Sequence, residues 1–480
     1  MNGVNRMNQR GGGFPSINRN RYSLMPVAML VFCASLLFAV LTARSLYSDG
    51  SYYFLRVLTA GNFAEIIPYR SYAGYLFEFP AVIAIKLGMT DLLKLQIAFG
   101  TGCFMVWPVA MLFCHWLAPK HFWIVVLACG AGYLNAAFVA IGEHVVAHAF
   151  FWPVCFVILF ARPLTPISAG IMLVSALILL RSYESLLFLG PLLASLAFWR
   201  FFTGKEKNWQ RAIFLLTAIL LCLAAYIALD GLLHPGKGPR ISSFKTGALN
   251  ELAYPEWTIM WTYLWGLLMI ASWSPQVRRV ITQRTGIVVL AGVILLWGAW
   301  PLLAPAQLDP SKQYEARFLN LLVPMGLLPV AFVLSRRPEW LEPHRRYLVN
   351  FSAALLLAQS LWHIAATEQW RSYIHVCKDM LASHKGAIHL QDTPYGKNPA
   401  VGRQATRFIW EMDAPALSIE IGPCKVKAII QPPVEVACEP FNPFKPREFP
   451  NLERYGINYD EYFRAVIESQ KQGTVSPKPK

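Results

Sequence analysis

Long apolar runs, each close to the length of a membrane-crossing helix, are the feature that most limits how this chain folds. A helix needs about twenty mostly apolar residues to cross about 30 Å of hydrocarbon, and such runs recur between residues 24 and 366. Apolar residues make up 55% of the 480 residues and charged residues only 15%. The sequence therefore predicts an all-α polytopic membrane protein.

Short basic segments between the apolar runs predict the orientation of the chain. The N-terminal tail, residues 1–23, carries several arginines before the first run at 24–42, and the loops at 200–211, 274–284 and 335–347 are also strongly basic. The positive-inside rule places all of these in the cytoplasm. Residue 49, the stretch 143–148, the loop 304–318 and everything after the last run then fall outside. The formal net charge of +16 needs no nucleic-acid partner.

The count of apolar runs predicts about eleven transmembrane helices between residues 24 and 366. One run, 75–88, is the shortest and carries Glu78 and Lys86. We interpret it as re-entrant or lying along the membrane surface, which also keeps the number of crossings consistent with the basic loops.

The tail, residues 367–480, is predicted to be a separate extracytoplasmic domain. It combines one helical pattern with four short alternating apolar runs broken by Pro and Gly, which is typical of a small α/β or α+β fold. Cys424 and Cys438 flank a hairpin-like pair of these runs, and a disulfide is favoured there in an oxidising compartment. The six cysteines within the apolar runs are expected to be small buried hydrophobes.

Four groups of polar residues on the predicted outer side are candidates for function, because ionisable groups near a membrane interior are costly. The first is Asp49 with Tyr52 and Tyr53, just after the first apolar run. Asp49 either caps the following helix, or it is a carboxylate that takes a proton from an acceptor hydroxyl or binds a divalent cation.

The second group is Glu143, His144 and His148 in the stretch GEHVVAH. The two histidines are four residues apart and share one face of a helix. Acid–base chemistry or contact with a phosphate is the favoured interpretation, because two histidines and one carboxylate form an incomplete zinc set. Metal dependence stays open.

The third and fourth groups carry arginines. Arg181 and Glu184 lie between two apolar runs, where an internal ion pair across a helix break is expected. The fourth group stands at the mouth of a later run and comprises Lys312, Gln313, Tyr314, Glu315 and Arg317. An arginine fork beside a lysine suits a phosphate or pyrophosphate, and the alternative is a belt of interfacial side chains.

The opening of the chain resembles that of the GT-C superfamily of membrane glycosyltransferases, which includes the protein O-mannosyltransferases and the lipid A aminoarabinose transferase. The resemblance rests on one span, an outer loop that opens with an acid in YSDGSYYFLRVLTAGNF, and the following PYRSYAGYLFEFPAVIAIKLG. It implies a polyprenyl-phosphate sugar as donor and a multi-pass protein of the plasma (inner) membrane. A glycan, lipid or protein would be the acceptor.

The resemblance implies that Asp49 is the acid important for catalysis, with Glu143 in the place of a second acidic motif. Under this interpretation Arg317 and Lys312 stabilise the lipid-phosphate leaving group, and His144 or His148 holds the phosphate or the sugar. Substrate contacts are assigned to Tyr52, Tyr53, Arg181, Glu184, Tyr314 and Glu315.

Two alternatives from other classes stay open. A polysaccharide polymerase or ligase that uses a lipid-diphosphate donor would carry a long outer loop rich in arginine late in the chain, and the late loop here is short. A transporter would favour inverted repeats with matching broken spans, and no such repeat stands out. A non-catalytic scaffold that presents the tail domain is the remaining option.

Overall fold

A computed structural model gives the structure of the chain at residues 23–46, 49–64, 67–133, 142–204, 206–234, 274–276, 313–340, 342, 345–383, 386–389, 427–430 and 452–455. Within helices, the side chains of Asp49, Tyr52 and residues 313–318 lie outside this description, as do most of those after residue 375. All structural statements below concern the described residues.

Twelve α-helices form this part of the chain. They are α1 (Met25–Leu41), α2 (Asp49–Ala60), α3 (Ser71–Lys86), α4 (Leu92–Phe104), α5 (Val106–Leu117), α6 (Trp123–Ala128), α7 (Glu143–Phe160), α8 (Pro166–Leu180), α9 (Leu186–Thr203), α10 (Asn208–Leu233), α11 (Gln313–Arg336) and α12 (Arg345–Ser383). A π-helix, Cys129–Tyr133, continues α6. Two short strands, β1 (Gly386–His389) and β2 (Lys427–Ile430), pair in parallel.

The helix ends follow from local sequence. The side chain of Asp91 accepts a hydrogen bond from the backbone N–H of Lys94 at the start of α4 (3.2 Å). Thr165 caps α8 in the same way, with Pro166 in the first turn. Gly61 and Gly88 end α2 and α3 at φ values of 59° and 85°, a left-handed conformation that favours glycine.

Five helices of the described residues are long and apolar enough to cross a membrane, or six if the bent pair α4 and α5 counts as one span. These dimensions are those of a multi-pass membrane protein. The apolar window of α7 is 94% buried, whereas those of α9 and α10 are 39% buried. Helix α7, which carries Glu143, His144 and His148, is therefore surrounded by other helices, and α9 and α10 leave much of their apolar surface for lipid.

Two of the six cysteines in the apolar runs do not fit the prediction. Cys103, Cys114, Cys129 and Cys155 are buried, but Cys33 and Cys222 are exposed on the bundle surface. Their helices α1 and α10 also expose large apolar residues such as Leu30 and Tyr226. A membrane helix is apolar on its lipid-facing side as well as inside, so hydrophobicity alone does not indicate burial in protein.

The bundle has two ends, which we define by α7: it begins at the upper end and finishes at the lower end. His121 stacks on Phe160 at the end of α7 (4.3 Å between ring centroids), and Arg345, the first residue of α12, is close enough to affect His121 electrostatically. Helix α12 therefore starts at the lower end. Leu24 bonds Asn350 (3.3 Å) and Arg44 bonds Thr367 (2.7 Å), so α1 runs parallel to α12 and finishes at the upper end.

Helix α3 has both of its ends at the upper end of the bundle. Arg70, just before α3, contacts Glu143 at the start of α7. Beyond α3, Asp91 lines a cavity of about 760 Å³ together with Leu41 at the end of α1 and Ile374 of α12. This geometry agrees with our interpretation of residues 75–88 as a segment that does not cross the membrane.

The placement of α3 can be tested by cysteine labelling. In a background from which the native cysteines are removed, we expect Asn62→Cys and Leu87→Cys to react with a membrane-impermeant maleimide from the same side. Leu87 is 82% exposed, and Phe202, near the lower end, is 71% exposed. Phe202→Cys should therefore react only from the opposite side. Labelling of Leu87→Cys from the same side as Phe202→Cys would show that α3 crosses.

The start of the tail continues the last helix. Helix α12 passes residue 366 without a break and ends at Ser383. Two of the four apolar runs predicted as strands form β1 and β2, while the other two lie outside the described residues, as do Cys424 and Cys438. Arg454 donates to the carbonyl of Leu58 (3.0 Å), so the tail reaches the C-terminal turn of α2.

Candidate functional site

A buried ionic cluster lies at the upper end of the bundle. The guanidinium of Arg70 stands between two carboxylates: Nη1 is 3.4 Å from Oε2 of Glu143, and Nε is 3.0 Å from Oε1 of Glu184, which Nη2 also contacts. Tyr53 donates its hydroxyl to Oε1 of Glu143 (2.6 Å). The ring of Tyr183 lies 4.9 Å from Cζ of Arg70. These five residues are called the Arg70 cluster below.

The Arg70 cluster is charged and almost fully buried. Arg70 is 5% exposed on its side chain, and the two carboxylates are 9% and 14% exposed. Burial by itself lowers the pKa of Arg70, but the negative charge of Glu143, with Tyr183 and Glu184, outweighs this and holds the pKa well above its usual range. With one cation and two acids, the cluster has a net negative formal charge.

Local structure brings these side chains together from distant parts of the chain. Arg70 ends the short 3₁₀-helix Pro68–Arg70, which precedes α3. Glu143 is the first residue of α7, where the positive end of the helix dipole favours an anion. Glu184 lies in the turn between α8 and α9. The cluster therefore joins the loop before α3 to the N-terminal ends of α7 and α9.

The predicted ion pair between Arg181 and Glu184 is wrong, although the predicted helix break between α8 and α9 is confirmed. Glu184 pairs with Arg70 instead. The Arg181 guanidinium donates to the carbonyl of Pro68 (3.5 Å), and the Arg181 carbonyl accepts from the backbone N–H of Tyr72 (3.1 Å). The break turns the two side chains to different partners, because residues 181–185 are not helical and the three-residue spacing no longer pairs them.

The two histidines of α7 have different neighbours. His144 is buried and lies near the ring of Tyr183 (5.6 Å between centroids), next to the Arg70 cluster. His148, one turn deeper, is also buried and shares a hydrogen bond between Nδ1 and Oδ1 of Asn320 on α11. Within the described residues, no three His, Cys, Asp or Glu side chains come together to hold a metal ion.

Several predicted site residues have no described side chain. Asp49 is the first residue of α2, one helical turn before Tyr53. Tyr314, Glu315 and Arg317 lie on the first turns of α11, which reaches His148 through Asn320. Tyr52 lies within α2, and Lys312 lies outside the described residues. The predicted roles of all six residues stay predictions.

Sequence reasoning missed Arg70 and Asn320. Arg70 stands in PYRSY, among tyrosines that read as an interfacial belt, and its acids are 73 and 114 residues away in sequence. Asn320 lies within the apolar run of α11. A single polar residue inside such a run was the available signal, because it is costly in a membrane unless it has a partner.

Comparisons with known proteins add no family to this geometry: no protein-family model, no curated protein and no solved structure matches the chain.

Proposed function

We propose that this chain is a membrane glycosyltransferase of GT-C-like architecture that transfers a sugar from a polyprenyl-phosphate donor to a glycan, lipid or protein acceptor. The observation that supports it most is the hydrogen bond from Tyr53 to Glu143 (2.6 Å). It ties α2, which begins at Asp49, to the head of α7. Asp49 and Glu143, the two acidic positions that the resemblance singled out, therefore lie on helix ends at the same end of the bundle.

Asp49 is the proposed base, and Glu143 is a positioning residue. Both carboxylate oxygens of Glu143 are already engaged, one by Tyr53 and one by Arg70. A carboxylate held in this way stabilises its partners and is poorly suited to accept a further proton. Glu143 therefore fixes α2, and Asp49 at the start of α2 deprotonates the acceptor hydroxyl.

The neighbourhood of the Arg70 cluster suits a neutral, hydroxyl-rich ligand. Oε2 of Glu184 is buried and makes no hydrogen bond to another described residue, so it can accept one from a sugar hydroxyl. Tyr183 and Tyr69 add aromatic surface around Arg70, with ring centroids 4.9 Å and 5.6 Å from Cζ. Arg317 and Lys312 are the proposed cations for the lipid phosphate, whose negative charge grows as it leaves.

The proposed orientation puts the upper end outside. The short loops at the lower end are basic, as the positive-inside rule expects of cytoplasmic loops; their residues include Lys120, Arg162, Lys207, Arg336 and Arg337. The tail then lies outside with α2, which it contacts through Arg454. This orientation is compatible with about eleven crossings when the apolar runs between residues 235 and 312 are included.

A reconstituted transfer assay tests the proposal. Protein in liposomes is given a radiolabelled polyprenyl-phosphate hexose or pentose and a crude acceptor fraction, and we expect label to move to the acceptor. Tyr53→Phe should lower the rate roughly ten- to a hundredfold, because a hydrogen bond to a charged group contributes about 1.5–3 kcal/mol and about 1.4 kcal/mol corresponds to a factor of ten.

Tyr226→Phe is the matched control, since Tyr226 is 65% exposed on α10, and this variant should transfer at the wild-type rate. Equal rates for Tyr53→Phe and wild type would show that the Arg70 cluster does not contribute to sugar transfer. Transfer from a lipid-diphosphate donor, with none from the monophosphate, would contradict the proposed donor class and favour a polymerase or ligase.

A further inference from the structure

A second polar group lies inside the bundle, one turn below His144. His148, Asn320 and Trp107 are 0%, 2% and 1% exposed. The Trp107 ring meets the His148 ring edge-on at 4.9 Å between centroids and stacks on Tyr133 at 5.9 Å. Three helices, α5, α7 and α11, thus meet here with the π-helix Cys129–Tyr133.

Three polar atoms of this group lack a hydrogen bond within the described part of the chain. They are Nε2 of His148, Nδ2 of Asn320 and Nε1 of Trp107. A buried polar atom without a partner costs about 1–3 kcal/mol, and three in one place is unusual in a folded protein. Such a set is expected where a ligand supplies the missing hydrogen bonds.

The donors and acceptors of the group match a hydroxyl. An amide oxygen only accepts, so the contact with Oδ1 of Asn320 puts the proton of a neutral His148 on Nδ1 and leaves Nε2 as an acceptor. Nδ2 of Asn320 and Nε1 of Trp107 are donors. If the Asn320 amide is flipped, Asn320 donates to Nδ1 of His148 instead. Nε2 of His148 is then the free donor and Oδ1 of Asn320 the free acceptor, so the pair still offers one of each. A hydroxyl needs one of each.

The backbone approaches this group closely. Gly132 lies in the π-helix, a type of turn that is frequent at functional sites. A side chain there would collide with His148, because a Cβ atom on Gly132 would stand 2.3 Å from Cε1 of the ring and 3.2 Å from Oδ1 of Asn320. Only glycine lets the π-helix, His148 and Asn320 approach this closely.

We infer that His148, Asn320 and Trp107 form a subsite for a hydroxyl of the sugar, deeper than the Arg70 cluster. The inference rests on the proposed function, and it adds that the sugar, rather than the lipid phosphate, is recognised here. The group fits an uncharged ligand, because none of its described hydrogen bonds involves a charged side chain. Its dry surroundings strengthen each hydrogen bond that the ligand makes.

Binding of two lipids to the purified full-length protein tests this subsite. One probe is a polyprenyl-phosphate hexose and the other is the same polyprenyl phosphate without sugar, and the ratio of their affinities measures the contribution of the sugar. We expect wild type to prefer the sugar lipid. In His148→Phe/Asn320→Leu the preference should fall roughly ten- to a hundredfold, since each lost hydrogen bond contributes about 0.5–1.5 kcal/mol.

Thermal unfolding of the same variant separates a ligand site from a structural contact. Replacing both partners by apolar groups of similar size is nearly neutral, so the melting temperature should be kept while the sugar preference is lost. A preference that survives the double substitution overturns the subsite. If that variant does not fold, Trp107→Phe removes one donor and should lose part of the preference, and no loss overturns the subsite.

The binding assay also distinguishes the two proposals. Equal affinities of wild type for the two lipids would overturn the subsite alone and leave the proposed polyprenyl-phosphate donor in place. Failure of wild type to bind either lipid would overturn the proposed function and, with it, the assignment of the subsite to a sugar.

Discussion

Asp49→Asn is expected to abolish sugar transfer while the protein remains folded and inserted. The change keeps the size of the side chain and much of its hydrogen bonding, but it removes the negative charge and the basicity. Asn and Asp cap helices about equally well, so a residue that only begins α2 would tolerate the change. A base would not, and loss of base catalysis lowers the rate by roughly 10² to 10⁴-fold.

Asp91→Asn is the matched control. Asp91 caps α4, where its side chain accepts from the backbone N–H of Lys94 (3.2 Å), and it lies at the same upper end of the bundle. We expect Asp91→Asn to transfer at the wild-type rate. Transfer should be measured at equal membrane abundance of each variant. Wild-type transfer by Asp49→Asn would return Asp49 to the role of a helix cap.

The pattern of helices was largely accessible from the sequence, because each apolar run of sufficient length forms a helix in the described residues. The break at RSYES was also predicted, since polar residues interrupt the apolar run there, and residues 75–88 stay predicted to be re-entrant or to lie along the membrane surface. The total of about eleven crossings stays a prediction that includes the apolar runs between residues 235 and 312.

The contacts within the site were much less accessible. Arg70 contacts Glu143 and Glu184 across 73 and 114 residues, and nothing in the local sequence of an arginine specifies partners so distant. The same limit explains the wrong pairing of Arg181 with Glu184, which relied on a helical spacing that the break removes. Along α7, apolar residues surround the helix on all sides, so the sequence could not show that His144 and His148 meet different neighbours.

The largest expected effect on stability comes from Arg70→Ala. It leaves Glu143 and Glu184 buried close together without their shared cation, and breaking a buried ion pair by removing one partner costs about 3–5 kcal/mol. We expect the free energy of unfolding in detergent, followed by tryptophan fluorescence, to fall by that amount.

Arg181→Ala is the control for Arg70→Ala. Arg181 lies at the same end of the bundle, and its guanidinium meets the Pro68 carbonyl and the Tyr72 ring rather than a carboxylate, so its removal should cost less than about 1 kcal/mol. The triple variant Arg70→Ala/Glu143→Gln/Glu184→Gln removes the unpaired charges together with the cation and should regain much of the stability. Its rate of sugar transfer should still be lowered, because an amide in place of the Glu143 carboxylate holds Tyr53, and with it α2, less tightly. Equal stability of Arg70→Ala and Arg181→Ala would show that the cluster does not hold the upper end of the bundle together.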